Sequence, residues 1–79
     1  MEEKNPIQVA GRLFGALEYI AENGPSGLME IARFLDINKS TARRVMRSLI
    51  YMDYVRQDPE SGKYYLTERL LRIAKRRPD

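Results

Sequence analysis

The sequence predicts a mainly α fold with a small β-hairpin, an α+β arrangement of three helices, two short strands and a short C-terminal helix. Up to about Met52, apolar residues recur every three or four positions, which is the period of an amphipathic helix. After Tyr54 the period falls to two, which is typical of half-buried strands. Turn-forming residues at 23–25 and 58–62 separate these blocks.

The first helix is predicted to begin at Pro6, because proline suits the first turn of a helix. It should end at Asn23-Gly24-Pro25, since Asn and Gly tolerate a left-handed cap and proline cannot continue a helix. Its apolar positions have the spacing of a single buried face: Ala10, Leu13, Phe14, Leu17, Ile20 and Ala21.

A helix-turn-helix is predicted over residues 28–52. Helix two spans Leu28–Leu35, and the turn ends at Asn38, a residue suited to cap the helix that follows. Two helices that cross steeply need apolar facing sides and a small residue where they approach closely, which Ala32 supplies. The inward positions are Ile31, Ala32 and Leu35 on helix two, and Ala42, Val45, Met46 and Leu49 on helix three.

Two strands, Tyr54–Gln57 and Lys63–Leu66, are predicted to form a wing over residues 54–66, joined by a turn with Pro59 and Gly62. Alternation directs one set of side chains toward the core and the other toward solvent. The inward set is Val55, Tyr64 and Leu66, and the outward set is Arg56, Lys63 and Tyr65. We expect Lys63 to lie opposite Arg56.

Thr67 can cap a last helix from Glu68 to about Lys75, with Leu70, Leu71 and Ile73 available for packing. Helices followed by a hairpin form a winged helix-turn-helix, and the length of 79 residues predicts one domain over 1–79.

Composition argues against several classes of function. Without cysteine or histidine there is no disulfide, no thiolate zinc site and no imidazole base. The sequence has no glycine-rich phosphate loop, no paired carboxylates and no nucleophile arrangement, so we expect no enzyme activity, cofactor or metal. Neither a membrane-length apolar run nor a signal-peptide start is present, which predicts a soluble cytoplasmic protein.

Positive charge is concentrated in the second half of the chain. Residues 1–38 hold three basic and six acidic side chains, whereas residues 39–77 hold eleven basic and four acidic ones. This asymmetry suggests an anionic polymer as partner, although a solvated charged surface would give the same counts.

Helix three is predicted to turn Ser40, Arg43, Arg44 and Arg47 away from its buried side. Arginines on an outward helix face are typical of a recognition helix in the major groove, where arginine binds guanine. We expect Ser40, Thr41, Arg43 and Arg47 at base edges or nearby phosphates, and Lys39 at a phosphate. Arg44 could contact a base or form an ion pair within the fold.

Arg56 and Lys63 on the wing are candidates for contacts with the DNA backbone or minor groove, or else are ordinary edge-strand charges. Tyr54 and Tyr64 are expected in the core, and Tyr51 and Tyr65 at the surface.

Residues 30–35, 38–45, 54–56, 58–64 and Leu66 resemble the DNA-binding domain of isocitrate-lyase-regulator (IclR) type transcription factors. The most specific part is Lys39-Ser40-Thr41 with Arg44 three residues later, and the resemblance covers about residues 7–74. It implies a winged helix-turn-helix that dimerises and binds operator DNA, usually to repress.

The sequence departs from that family at several positions. Asp36 and Asp53 stand where glycine is usual, and Gly27 stands where a Ser or Thr usually opens helix two. Ser26, beside Gly27, becomes the candidate phosphate contact there. Such regulators continue into an effector-binding domain, so we expect these 79 residues to be an excised or minimal DNA-binding domain without a small-molecule effector site.

The leading hypothesis is sequence-specific binding of double-stranded DNA by a transcription regulator, most simply a repressor. A homodimer that uses the N-terminal segment and helix one would read a pseudo-palindromic operator. It is expected because a domain this small offers few internal partners for Ile7, Val9 and Tyr51. One alternative is a winged-helix protein-interaction module in transcription or replication machinery. Another is RNA binding, which would favour an aromatic platform that Tyr51 and Tyr65 supply poorly.

Overall fold

The computed structural model describes residues 5–76 and 78, which contain four helices and one two-stranded antiparallel sheet. The elements in chain order are α1 (Pro6–Asn23), α2 (Leu28–Leu35), α3 (Lys39–Tyr51), β1 (Val55–Gln57), β2 (Tyr64–Leu66) and α4 (Glu68–Lys75). The predicted α+β fold class is confirmed. Within the described residues, no helix has both the length and the apolarity needed to cross a bilayer.

Side-chain caps explain why the helices begin where they do. The Asn5 carboxamide oxygen accepts from the Ile7 amide at 2.9 Å, and that of Asn38 accepts from the Thr41 amide at 2.8 Å. The Thr67 hydroxyl accepts from the Arg69 amide at 3.2 Å. Each contact satisfies one backbone donor that a first helical turn leaves open. The caps predicted at Asn38 and Thr67 are confirmed.

α2 and α3 each end in a Schellman motif built on an aspartate. Asp36 has φ 57° and Asp53 has φ 66°, the left-handed region in which glycine is common. After α2, the Asp36 amide donates to the Arg33 carbonyl and the Ile37 amide to the Ala32 carbonyl. The same pattern follows α3. These are the two positions at which the resembled family usually has glycine, and aspartate keeps the same turn.

The core lies between α1, α2, α3 and the inner face of the hairpin. Its buried apolar side chains are Ala16, Leu17, Ile20, Ile31, Ala32, Ala42, Val45, Met46, Leu49, Val55 and Tyr64. α1 approaches α2 so closely at Gly15 that an added Cβ would lie 2.8 Å from the Leu35 Cδ2 atom. The stripe predicted to be buried on α3, which is Ala42, Val45, Met46 and Leu49, is confirmed.

The packing predicted for four residues is wrong. Phe14 is 62% exposed and Ala21 is exposed, because α1 is covered on the side of Ala16 and Ile20. On α4, Leu71 and Ile73 are exposed by 55% and 46%, and among the three predicted packing residues only Leu70 contacts the core. An amphipathic pattern marks an apolar face, but it does not say whether another element covers that face.

The hairpin register corrects one predicted pair. Val55 pairs with Leu66 and Gln57 with Tyr64, so the inward set is as predicted. Arg56, however, lies opposite Tyr65 rather than Lys63. Lys63 instead lies across from Asp58, whose amide donates to the Lys63 carbonyl at 2.8 Å. The observed register therefore differs by two residues from the one in which Arg56 would pair with Lys63.

Candidate nucleic-acid interface

α3 has one buried side and one side that is open to solvent. Its buried residues pack against α1, α2 and β1, which fixes the orientation of the helix. Ser40, Arg43, Arg44 and Arg47 are all exposed on the other sides, as is Lys39 at the first turn. Thr41 is half-buried. The sequence prediction that these side chains share an accessible surface agrees with their exposure.

In the described part of the chain, the cations of α3 form no ion pair. In residues 5–76 and 78, two ion pairs form, Arg56 with Asp53 and Arg72 with Glu68, each at 3.5 Å. Neither involves Lys39, Arg43, Arg44 or Arg47. The ion pair considered as the alternative for Arg44 is therefore absent from the described part of the chain. Unpaired cations on a rigid helix leave a field available to an anionic partner.

The first turn of α3 is held in place by its cap. Asn38 accepts from the Thr41 amide, and the Ala42 amide donates to the Asn38 carbonyl at 3.0 Å. The positive end of the helix dipole lies at this same turn, beside Lys39 and Ser40. Backbone amides at such an end favour anions, so the turn can support a phosphate contact.

The wing presents Arg56 and Tyr65 on its outer face, with Lys63 exposed beside the turn. Arg56 is partly engaged by Asp53, while its side chain remains 63% exposed. The turn is ordered by Asp58, whose carboxylate accepts from the Ser61 amide at 2.8 Å. Hydrogen bonds from the Ser61 side chain and amide lower the pKa of Asp58.

Ser26 is not placed for a phosphate contact, and that prediction is wrong. The residue is fully buried, and its hydroxyl donates to the Gly24 carbonyl at 2.7 Å. Its backbone bridges to β2, with amide-to-carbonyl bonds to Tyr64 of 2.9 and 2.8 Å. Ser26 therefore ties the loop before α2 to the hairpin. At the start of α2, the Glu30 carboxylate accepts a hydrogen bond from the Gly27 amide at 2.8 Å. Gly27 has no side chain, so the bond that a serine or threonine hydroxyl would accept at this N-cap is not made.

Sequence reasoning missed Arg12 of α1. It is half-buried and lines a cleft with Arg44 and Thr41 of α3. The sequence did contain a signal for this position, because Arg12 lies next to the apolar face of the amphipathic helix α1. The partner helix on that side could be found only from the packing.

Comparison with known proteins finds relatives that are described as transcriptional regulators. The IclR helix-turn-helix domain family matches residues 9–59. The HTH-type transcriptional regulator KdgR of Escherichia coli (strain K12) is 32% identical over 76 residues, which are 94% of this chain and 29% of that protein. KdgR of Dickeya chrysanthemi is 32% identical over 73 residues, 90% of this chain and 24% of that protein.

Solved structures give the same result. The IclR family transcriptional regulator from Brucella abortus superposes with a TM-score of 0.78 at 28% identity, over 94% of this chain and 29% of that one. An IclR transcriptional regulator from Alicyclobacillus acidocaldarius gives 0.77 at 32% identity, over 90% and 28% of the two chains. The chain thus spans under a third of the length of these relatives. Its winged-helix fold matches that of the two solved structures. It belongs to the IclR helix-turn-helix domain family.

Proposed function

We propose that this chain binds double-stranded DNA in a sequence-specific manner, as the DNA-binding part of a transcription regulator that represses. The observation that carries the proposal is the outward side of α3. Arg43 and Arg47 are exposed and free of ion pairs in the described residues, on a helix whose other side is locked into the core. A helix held in this way can enter the major groove without losing its packing.

Each candidate residue has a role in this proposal. Arg43 and Arg47 contact base edges, where a guanidinium can bind guanine O6 and N7 together. Ser40 and Thr41 contact bases or nearby phosphates, and Lys39 contacts a phosphate at the capped first turn. Arg44 lies at the edge of the same face. On the wing, Arg56 and Lys63 contact the backbone or the minor groove.

The proposed assembly is a homodimer that reads a pseudo-palindromic operator. Apolar side chains near the start of α1 and the end of α3 support it, because Ile7 is 81% exposed, Val9 37% and Tyr51 90%. Contact through α1 would cover such residues in a symmetric pair. The predicted contribution of the N-terminal segment includes residues 1–4, which lie outside the described residues.

In this proposal the protein is a DNA-binding protein and catalyses no reaction. It binds its DNA in the cytoplasm. Its relatives are named as transcriptional regulators, which supports that class. We assign no effector site to these 79 residues, which correspond to less than a third of each relative.

The decisive experiment is selection of sites from random duplex DNA by the purified chain, followed by titration of the selected site at several salt concentrations. If a dimer neutralises about six to ten phosphates, log K should fall against log salt with a slope of about −5 to −9. A slope near zero, or the absence of binding at low salt, would overturn the proposal.

A protein-docking role is the second candidate, and one surface favours it. Ile50, Tyr51 and Met52 at the end of α3 are exposed and, with Leu13, line an open apolar groove of about 750 Å³. Failure of DNA binding together with loss of partner binding on Tyr51→Ala would support docking. Arg47 and Ser48 also line this groove, so its wall is not wholly apolar, and the exposed cations of α3 argue for DNA.

A further inference from the structure

We infer that Arg12 of α1 and Arg44 of α3 together form a phosphate clamp on the flank of the DNA-binding helix. The inference rests on the proposed function and adds a residue of α1 to the DNA interface. It also assigns Arg44 to the backbone rather than to a base. The ligand is one phosphodiester group of the duplex.

A cleft between the first half of α1 and α3 brings the two arginines together. Its volume is about 160 Å³, and Val9, Arg12 and Leu13 line one side of it. Thr41, Arg44 and Ser48 line the other. Two arginines and two hydroxyl-bearing residues thus line one space, together with the apolar Val9, Leu13 and Val45. Among the residues that the structure describes, no carboxylate lines the cleft.

The charge in this cleft has no internal counterion in residues 5–76 and 78, where neither arginine forms an ion pair. Helix spacing explains why. The residues three and four positions after Arg12 are Gly15 and Ala16, and those four positions from Arg44 are Ser40 and Ser48. The acidic residues of α1 begin only at Glu18. Two uncompensated cations side by side repel each other, and an anion between them removes that repulsion.

Partial burial prepares Arg12 for this task. Arg12 is half-buried although it carries a charge, and its aliphatic stem has Val9 and Leu13 as neighbours in the cleft wall. A side chain that is already restrained loses less conformational entropy when it binds. Arg44 is exposed and completes the site from the other helix.

The available donors fit a phosphate. A planar guanidinium binds two phosphate oxygens at once, and hydroxyl groups add further donors. The Ser48 hydroxyl already donates to the Arg44 carbonyl at 3.0 Å, which leaves Thr41 as the hydroxyl donor. The Thr41 hydroxyl makes no hydrogen bond within the described residues, since only its amide is used, by Asn38. Arg44 shares its helix face with Arg47, so DNA bound there brings a backbone close to the cleft.

The test compares Arg12→Gln with the wild-type chain by fluorescence anisotropy, on the selected duplex and on point-mutated duplexes. Arg12→Gln should weaken binding to every duplex by about tenfold, the effect of one charged hydrogen-bonded contact, without changing the order of preference. Arg12→Lys keeps the charge and should recover part of that loss. Thermal unfolding of each variant checks that the fold is retained.

The double variant Arg12→Gln, Arg44→Gln tests whether the two side chains share one phosphate. Its affinity loss should be smaller than the product of the two single losses, and its salt slope should fall by about one relative to wild type. Arg76→Gln after α4 is the matched control, because it removes the same charge from an exposed residue that lines neither the cleft nor the pocket beside the wing. That control should bind like wild type.

The outcomes separate this inference from the function on which it rests. Wild-type binding with a sequence preference, combined with unchanged affinity in Arg12→Gln, overturns the clamp and leaves the proposed function standing. A change in base preference in Arg12→Gln, or an equal loss in Arg76→Gln, also overturns it. No binding by the wild-type chain overturns both.

Discussion

Two arginines on the outward face of α3, Arg43 and Arg47, are the side chains from which we expect the sequence preference. Arg43→Ala or Arg47→Ala should cost about 1–3 kcal/mol on the selected site, because a bidentate contact to guanine is lost. Preference at the contacted base pair should relax. Competition between the selected duplex and its point-mutated versions measures both effects.

The matched variant is Lys63→Ala on the wing. It should weaken all sequences similarly and lower the salt slope by about one, since it removes a backbone contact. If Lys63→Ala altered base preference and the α3 variants did not, the roles of helix and wing would be exchanged.

Asp36 ends α2 with a positive φ of 57°, a conformation that costs less for aspartate than for alanine and least for glycine. Asp36→Ala should therefore lower the free energy of unfolding by about 1 kcal/mol. Asp36→Gly should be at least as stable as wild type. Urea denaturation of the three chains decides, and an Asp36→Ala variant as stable as Asp36→Gly would contradict the prediction. Asp53 is less suited to this test, because its substitution would also remove the ion pair with Arg56.

At the scale of elements, α3 depends on its N-cap. Asn38→Ala removes the acceptor for the Thr41 amide and should lower the free energy of unfolding by about 1 kcal/mol. Asn38→Ser restores an N-cap oxygen and should recover most of that loss. DNA binding should weaken in Asn38→Ala, because Lys39 and Ser40 lie in the turn that loses its anchor. Denaturation and anisotropy on the same samples test this, and equal stability of all three chains would contradict it.

The wing turn should respond to acid through Asp58. Hydrogen bonds from Ser61 lower the pKa of the folded carboxyl below its ordinary value of 3.8. The ionised form therefore stabilises the turn above about pH 3.8, and this contribution disappears as the pH falls through the lowered pKa. Between pH 5 and pH 2, wild type should lose more stability than Asp58→Asn. Thermal melts across the range measure the difference, and parallel curves would contradict it.

For the whole molecule, the prediction concerns assembly on DNA. A homodimer should place two copies of α3 about 34 Å apart and protect two half-sites one helical turn apart. Sedimentation and footprinting with and without the selected duplex test this, since the pair could form fully only on DNA. Ile7→Glu and Tyr51→Glu should weaken the pairing, because they place charge on exposed apolar positions. A single protomer on one half-site, with no gain from the second, would contradict the prediction.

The bounds of the elements were determined by the sequence alone, because the signals that set them are local. α2 begins and ends at the predicted Leu28 and Leu35, and the other helices lie within a residue or so of their predicted limits. Caps such as Asn38 act within three residues, and a helical period fixes which residues share a face. The buried stripe of α3, and with it the exposed side that carries Arg43, followed from that period.

Only the tertiary structure decided which faces are covered and which distant residues meet. Phe14 was predicted inward and is exposed, because nothing in the period of α1 says where α2 and α3 lie. Ser26 became a buried bridge to Tyr64, 38 positions away. The cleft that joins Arg12 to Arg44 exists because two helices far apart in the chain pack side by side. Contacts of this kind depend on packing between elements, for which a local pattern carries no information.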